Sequence, residues 1–193
     1  MHPVTRGEIL PIAEYEIIRP RFRQRIIEEK KIRRVALGEH LSAVFENRDT
    51  VLYQIQEMLR TERITSEPAI EHEISTYNDL IPGAGQLSLT LFVEIPDREL
   101  RERTLVELAG LEDTVALEVD SERFAATGDF AGVLPGRTTA VHYFKFTLSA
   151  KAQEAIRRGQ AAALVVSHPR HPARAELPPA TLASLAADLA DVG

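Results

Sequence analysis

The chain has no cysteine among its 193 residues. Disulfides, thiolate zinc sites, iron–sulfur ligation and cysteine nucleophiles all require that sulfur, so each is excluded. If electrons pass nearby, another molecule carries them. Long apolar runs are also missing. No stretch has membrane length, and no charged segment leads into an apolar core with a small-residue cleavage site, so neither a spanning helix nor a secretory signal is expected. The cytoplasm is the expected location. Several catalytic signatures are absent as well: there is no G-x-x-x-x-G-K-[ST] loop, no G-x-S-x-G elbow, no H-E-x-x-H and no G-x-G-x-x-G after a strand. The chain also lacks E-x-x-H, the bundle motif of di-iron carboxylate proteins.

What is present is an ordinary globular composition, 44% apolar, with an uneven charge distribution. Residues 19–34, RPRFRQRIIEEKKIRR, hold eight basic residues against Glu28 and Glu29, a local +6 that leaves −12 on the rest of a chain whose net charge is −6. Phosphate contacts dominate non-specific nucleic-acid affinity, so this stripe could serve nucleic acid or an acidic partner, with Arg21, Arg25 and Arg33 as binding candidates. The same letters fit a solvated amphipathic helix. Arg25 with Glu29 and Glu29 with Arg33 are spaced i, i+4, while Phe22 and Ile26 share a side. The solvated helix is the preferred reading.

One compact unit is expected over 1–193, in three parts. The first, 1–82, is mostly helical. Thr5 to Glu8 has capping-box spacing, Pro20 suits a first helical turn, and the basic helix runs to about Arg34. A strand or short hairpin follows at 35–45, with Val35, Leu37, Leu41, Ala43 and Phe45 on one face. Asn47 or Asp49 caps a helix reaching about Arg63, and Ser66 caps another with an Ile70, Ile74, Tyr77, Ile81 stripe. The second part, 83–177, reads strand 87–95, helix from Asp97 to about Gly110, hairpin 114–119 with 122–127, strand 139–147, helix from Ser149, and strand 162–168. That order implies an α+β fold with a ferredoxin-like, split βαβ antiparallel sheet. The third part, 178–193, is a docking helix with Leu182, Leu185, Leu189 and Val192 on one stripe. The glycine-rich loop 128–138 is the expected mobile segment. Phe92 and Tyr143 could stack bases on such a sheet, but the RNA-recognition signature is missing and the helical part is expected to cover that face.

Polar residues on apolar faces mark candidate sites. Glu62 falls on the arc of Val51, Leu52, Ile55, Met58 and Leu59, where a lone carboxylate would be costly unless paired or at a frayed end. Arg48 lies on the same arc at the far end of the helix, too distant to pair with it; Tyr53, Gln56, Glu57 and Arg60 point outward. His142 shares a strand face with Ala140, Phe144 and Phe146. A hydrogen-bonded core histidine is the plain interpretation. The sharper one brings His142 and Glu62 together as a buried acid–base pair, with Arg48 or Arg60 as an anion contact. His168 and His171 are the local pair that could suggest a metal, but Pro169 and Pro172 exclude helical spacing and no third ligand lies near in sequence. A parallel crossover would also hold His168 far from His142.

The segments LPIAEYEIIRPRFRQRIIEEKKIRRVALG, FENRDTVLYQIQEMLRTERI, YNDLIP and TAVHYFKFTL together resemble the uncharacterised bacterial family catalogued as domain of unknown function 3501, essentially end to end. The resemblance implies gene neighbourhoods that encode a rubrerythrin-like protein and an iron–sulfur oxidoreductase, and so a role beside redox or peroxide chemistry; it transfers no catalytic residue. Arg48, Gln54, Glu57, Arg60, Glu62, Asn78, His142 and His168 stand in matching segments. His171 departs from the family pattern, which has an aromatic residue near there. Three functions are carried forward. The preferred one is a non-enzymatic accessory protein docking a redox partner through its basic or C-terminal helix. The second is an enzyme or small-ligand binder with a pocket between the halves, using Glu62 and His142. The third is nucleic-acid binding through 19–34. No cofactor is implied; a transition metal and self-association stay open.

Overall fold

The computed structural model describes residues 1–128, 134 and 136–190. Near the start, the Glu8 carboxylate accepts both the backbone N–H and the hydroxyl of Thr5 at 2.9 Å, which closes a 3-10 turn at Arg6–Glu8. Helix α1 then runs Ile12–Arg33, starting eight residues before Pro20, which lies inside it. A mid-helix proline removes one backbone bond and costs about 3 kcal/mol. Here Pro20 and Glu16 are both exposed, so water reaches the orphaned carbonyl, while buried Tyr15 and Ile26 anchor the helix on either side.

Strands β1 (Arg34–Leu37) and β2 (Leu41–Glu46) form the expected hairpin. Asn47 caps α2 (Arg48–Thr61) by accepting the Thr50 N–H at 3.0 Å, and α3 spans Glu67–Asn78. Strand β3 (Gln86–Val93) leads to α4 (Arg98–Glu107), where the Asp97 carboxylate accepts the Leu100 N–H. A 3-10 turn at Leu111–Thr114 opens β4 (Val115–Val119), which pairs with β5 (Glu122–Ala125). Then come β6 (Val141–Thr147), α5 (Ala150–Arg157) capped by Ser149, β7 (Ala162–His168), β8 (His171–Glu176) and α6 (Pro179–Ala190). Of the glycine-rich loop, residues 129–133 and 135 lie outside the described residues, as does Val192 of the C-terminal stripe.

The α+β class holds, and every strand pairing among the described residues is antiparallel. The ferredoxin-like sheet does not. The expected strand, helix, strand, strand, helix, strand order is present along the chain, but its strands divide between sheet A (β1-β2-β3-β6) and sheet B (β5-β4-β7-β8). Neither α4 nor α5 returns the chain as a parallel crossover within one sheet. Instead β3 takes β2 as a neighbour and β7 takes β8. No parallel crossover therefore relates His142 to His168, since β6 and β7 belong to different sheets.

The inner faces of the two sheets build the main core. Leu37, Phe45, Leu89, Leu91, Phe144 and Phe146 from sheet A join Leu117, Val119 and Leu164 from sheet B, with Leu185 of α6 closing one side. Each such residue, once buried, contributes roughly 1.5–3 kcal/mol. A smaller cluster of Val4, Ile9, Val51, Ile55, Leu59, Ile70 and Ile74 sits among α2, α3 and the N-terminal turn. Between that cluster and the main core lies the other face of sheet A, carrying Ser42, Glu46, Ser88 and Thr90, all buried and all polar. Among the described residues no helix is long and apolar enough to cross a membrane.

Candidate functional site

Glu62 is exposed and caps the C-terminus of α2. The helix ends at Thr61, and Arg63 adopts φ 54°, so the apolar arc stops one residue before the carboxylate reaches it. The expected acid–base pair with His142 is not formed. His142 itself is 3% exposed, as its strand phase requires, and stacks on Phe144 with rings 10° from parallel. Its carboxylate is Glu112, reached through a hydroxyl: Thr138 donates to Glu112 at 3.0 Å and lies 2.8 Å from His142 Nε2. With that hydroxyl proton committed to Glu112, Nε2 carries hydrogen and donates to Thr138 Oγ1. Burial depresses the imidazole pKa, and the nearby Glu112 charge works the other way. The group is sealed: Thr138 is wholly buried and Glu112 nearly so. Its bonds satisfy a core histidine.

The arginines proposed as anion contacts are occupied. Arg48 donates to the carbonyl of His2 at 3.1 Å and to Glu8 at 2.5 Å. Arg60 pairs with Glu57 and Glu16. Glu57, read as an outward surface residue, is a hub: it accepts from Tyr15 Oη at 2.8 Å and from both arms of the Arg19 fork at 2.7 and 2.9 Å. These partners hold its pKa down to about 2, the Arg19 bond most strongly. Gln56 is buried too, exchanging two hydrogen bonds with the backbone of Leu10. Both corrections share a cause, since α1 and the segment before it pack on the α2 face that periodicity assigned to water.

On the basic helix, Arg21 is exposed, and Arg25 pairs with Asp49 at 3.3 Å and lies over the Phe22 ring. Neither Arg25 nor Arg33 pairs with Glu29, whose carboxylate instead accepts from the Asn47 side-chain amide at 2.5 Å. Arg33 is no surface contact: at 1% exposure it donates to the carbonyls of Phe45 and Glu46, to Ser184 Oγ and to Asp188, which ties α1 to β2 and α6. Burial raises the Asp188 pKa, and Arg33 opposes that rise.

His168 and His171 face each other across the β7–β8 turn. Their nitrogens point to different carbonyls. His168 Nδ1 accepts the Arg170 N–H at 3.2 Å, so Nε2 is protonated and donates to Ala109. His171 Nε2 donates to the Leu37 carbonyl at 2.8 Å and abuts Gly38, where a Cβ would approach it to 2.8 Å. With these bonds in place His168 has no ring lone pair for a metal, and His171 serves as a brace between β8 and the β1–β2 turn.

A concave site does lie between the helical part and sheet A. It is a half-open cavity of about 710 Å³ walled by Glu73, Thr76, Tyr77, Asp79 and Leu80 on the α3 side and by Ser88, Tyr143 and Lys145 on the sheet side, with Thr127 and Gly128 at one end. Register assembles its floor. Glu46 pairs with Ser88, Ser88 with Lys145, and Lys145 bridges to Thr127, so four polar side chains cross the sheet in one row. Glu46 is saturated by Thr90, Thr50 and Gln54, at 2.6, 2.5 and 3.1 Å. In contrast, the Ser88 hydroxyl, the Lys145 ammonium, the phenols of Tyr77 and Tyr143, and the carboxylates of Glu73 and Asp79 have no hydrogen-bond or ion-pair partner among the described residues. Burial raises the pKa of both tyrosines, aided at Tyr143 by Glu46 and at Tyr77 by Tyr143 and Glu73.

Sequence periodicity registered only part of this. The polar phase of LSLTLFV and HYFKF is visible in the letters, and it presents Tyr143 as a stacking residue. Nothing local showed that α3 would stand over Ser88 and Lys145 and make a cavity of that phase.

The family model described as Protein of unknown function (DUF3501) matches residues 3–189. The chain belongs to that family. It is also similar to a solved structure, a novel protein of unknown function from Burkholderia pseudomallei K96243, with 34% identity, a TM-score of 0.91, and coverage of 97% of this chain and 100% of that one. No curated protein matches. The TM-score over that coverage shows that the two chains share one fold.

Proposed function

We propose that the protein binds a small organic molecule in the cavity between α3 and sheet A. Ser88 carries the proposal. It is 2% exposed, its hydroxyl has no partner among the described residues, and it opens onto the cavity beside Lys145. No buried side-chain oxygen or nitrogen among the described residues lacks a partner, so this hydroxyl is reached from the cavity itself and is free to bond a molecule that enters there. The volume suits this use, since sites for small organic ligands span roughly 300–1,000 Å³. The location agrees with the pocket expected between the halves. Its residues differ, because neither Glu62 nor His142 reaches it, and without that pair we favour binding over catalysis, in the cytoplasm. Nile red, a neutral apolar dye, tests the proposal. Its fluorescence should rise with the wild-type protein and fall back for Thr76→Trp, which fills the mouth from an exposed helical position, and for Ser88→Leu. Equal dye binding by wild type and both folded variants would sink it.

A second reading, the accessory role, draws on the outward side of α1, where Ile17 is 80% exposed and Ile18 and Ile32 are 43% and 46% exposed, beside Arg21 and Arg25. On that reading a rubrerythrin-like or iron–sulfur redox protein docks there. Titration of such a purified partner should give a saturable complex that Ile17→Asp weakens. Nucleic-acid binding has less support, because Arg19, Arg25, Lys31, Arg33 and Arg34 already face acidic partners.

A further inference from the structure

The walls of the cavity carry opposite charges, and neither wall neutralises the other. Lys145 rises from the sheet floor beside Ser88, while Glu73 and Asp79 stand on the α3 side. None of the three takes part in an ion pair among the described residues, although paired charges are common elsewhere on this chain. Tyr77 on the α3 wall and Tyr143 on the sheet wall supply aromatic surface. From this arrangement, and resting on the small-molecule reading above, we infer that the ligand is bipolar: an amino-acid-like molecule with a carboxylate, an ammonium group and a flat apolar body. The carboxylate meets Lys145 and the Ser88 hydroxyl, which donates to it. The ammonium meets Glu73 and Asp79, and the apolar body lies against Tyr77 and Tyr143.

The alternatives each leave one wall mismatched. A simple organic acid would satisfy Lys145 but face two carboxylates, with buried Glu46 one strand further along the floor. A simple amine would satisfy those carboxylates but face the ammonium of Lys145. Polyphosphates are disfavoured most, since one lysine opposes three acidic groups. Like charges brought together in a partly desolvated site cost more than they would in water, so specificity arises from rejection as well as attraction.

Three probes with one phenyl body separate these cases by calorimetry on the full chain: phenylalanine, phenylacetate and phenethylamine. Phenylalanine should bind at least about tenfold more tightly than either singly charged analogue. Lys145→Met should remove its advantage over phenethylamine, and Glu73→Gln should narrow its advantage over phenylacetate. Both positions are at least partly exposed, so folding should survive, and circular dichroism checks that it does. Equal or tighter binding of either analogue, or a Lys145→Met variant that discriminates as the wild type does, overturns the bipolar ligand. Nile red binding with no phenylalanine binding overturns it too while leaving the cavity reading intact, whereas failure of Nile red removes that reading itself.

Discussion

At the scale of single residues, the informative side chains are polar groups placed where apolar ones would be expected. The His142 pKa is depressed by burial, so the unfolded chain takes up a proton near pH 6.5 that the folded chain declines. Its contribution to stability is therefore complete above that pH and is lost as pH falls through it. Urea midpoints should drop between about pH 7.5 and 5.5, and His142→Gln should flatten the drop; parallel profiles for both proteins would contradict the assignment. Glu57 has the same pH sense from a different cause, since its partners, Arg19 above all, rather than burial, depress its pKa. Its folded pKa of about 2 lies below the ordinary 4.5, so it stabilises above pH 4.5 and loses that effect as pH falls towards 2. Glu57→Gln should cost roughly 1–3 kcal/mol near neutrality, with the gap to wild type closing in acid. His142 was legible in the sequence because strand phase is local: alternate residues must face one way. Glu57 was not, because its partners Tyr15 and Arg19 lie 42 and 38 residues earlier, and no helical wheel contains them.

At the scale of elements, α1 depends on what holds its ends. Arg33 is the last residue of the helix and its guanidinium is shared among β2, Ser184 and Asp188. Removing one member of a buried pair leaves a charge without compensation, so Arg33→Met should cost about 3–5 kcal/mol, and Arg33→Met with Asp188→Leu should regain much of it. Chemical denaturation of the three proteins measures this, and a double variant no better than the single would show that the ion pair is not what matters. Element type was largely readable from the letters. The alternating leucines of β3, the Asn47 and Asp97 caps and the exact span of β7 all follow from local rules. Two features broke those rules. Pro20 sits mid-helix because contacts on both sides of it outweigh a local penalty. Strand β8, HPARAE, has a proline and little apolar content, and it forms because an edge strand needs only one partner, here β7.

At the scale of the whole molecule, two clusters of unequal size lie on opposite faces of sheet A. Local opening should follow that inequality: amides of β3 and β7 should exchange hydrogen more slowly than those of α2 and α3, and the reverse order would show that the helical cluster is the more stable unit. The division into two sheets was hidden because periodicity tells which side of a strand is apolar but not which strand lies next to it. The cavity was hidden for the same reason, being a property of α3 over a sheet rather than of either. Strand β6 joins these levels. Its even-numbered residues, His142, Phe144 and Phe146, go to the core, and its odd-numbered ones, Tyr143 and Lys145, go to the cavity. Deleting any one residue near its start would turn the strand over, presenting phenylalanines to the hollow and forcing an ammonium into the hydrocarbon interior, so this short segment should tolerate substitution far better than any change in length.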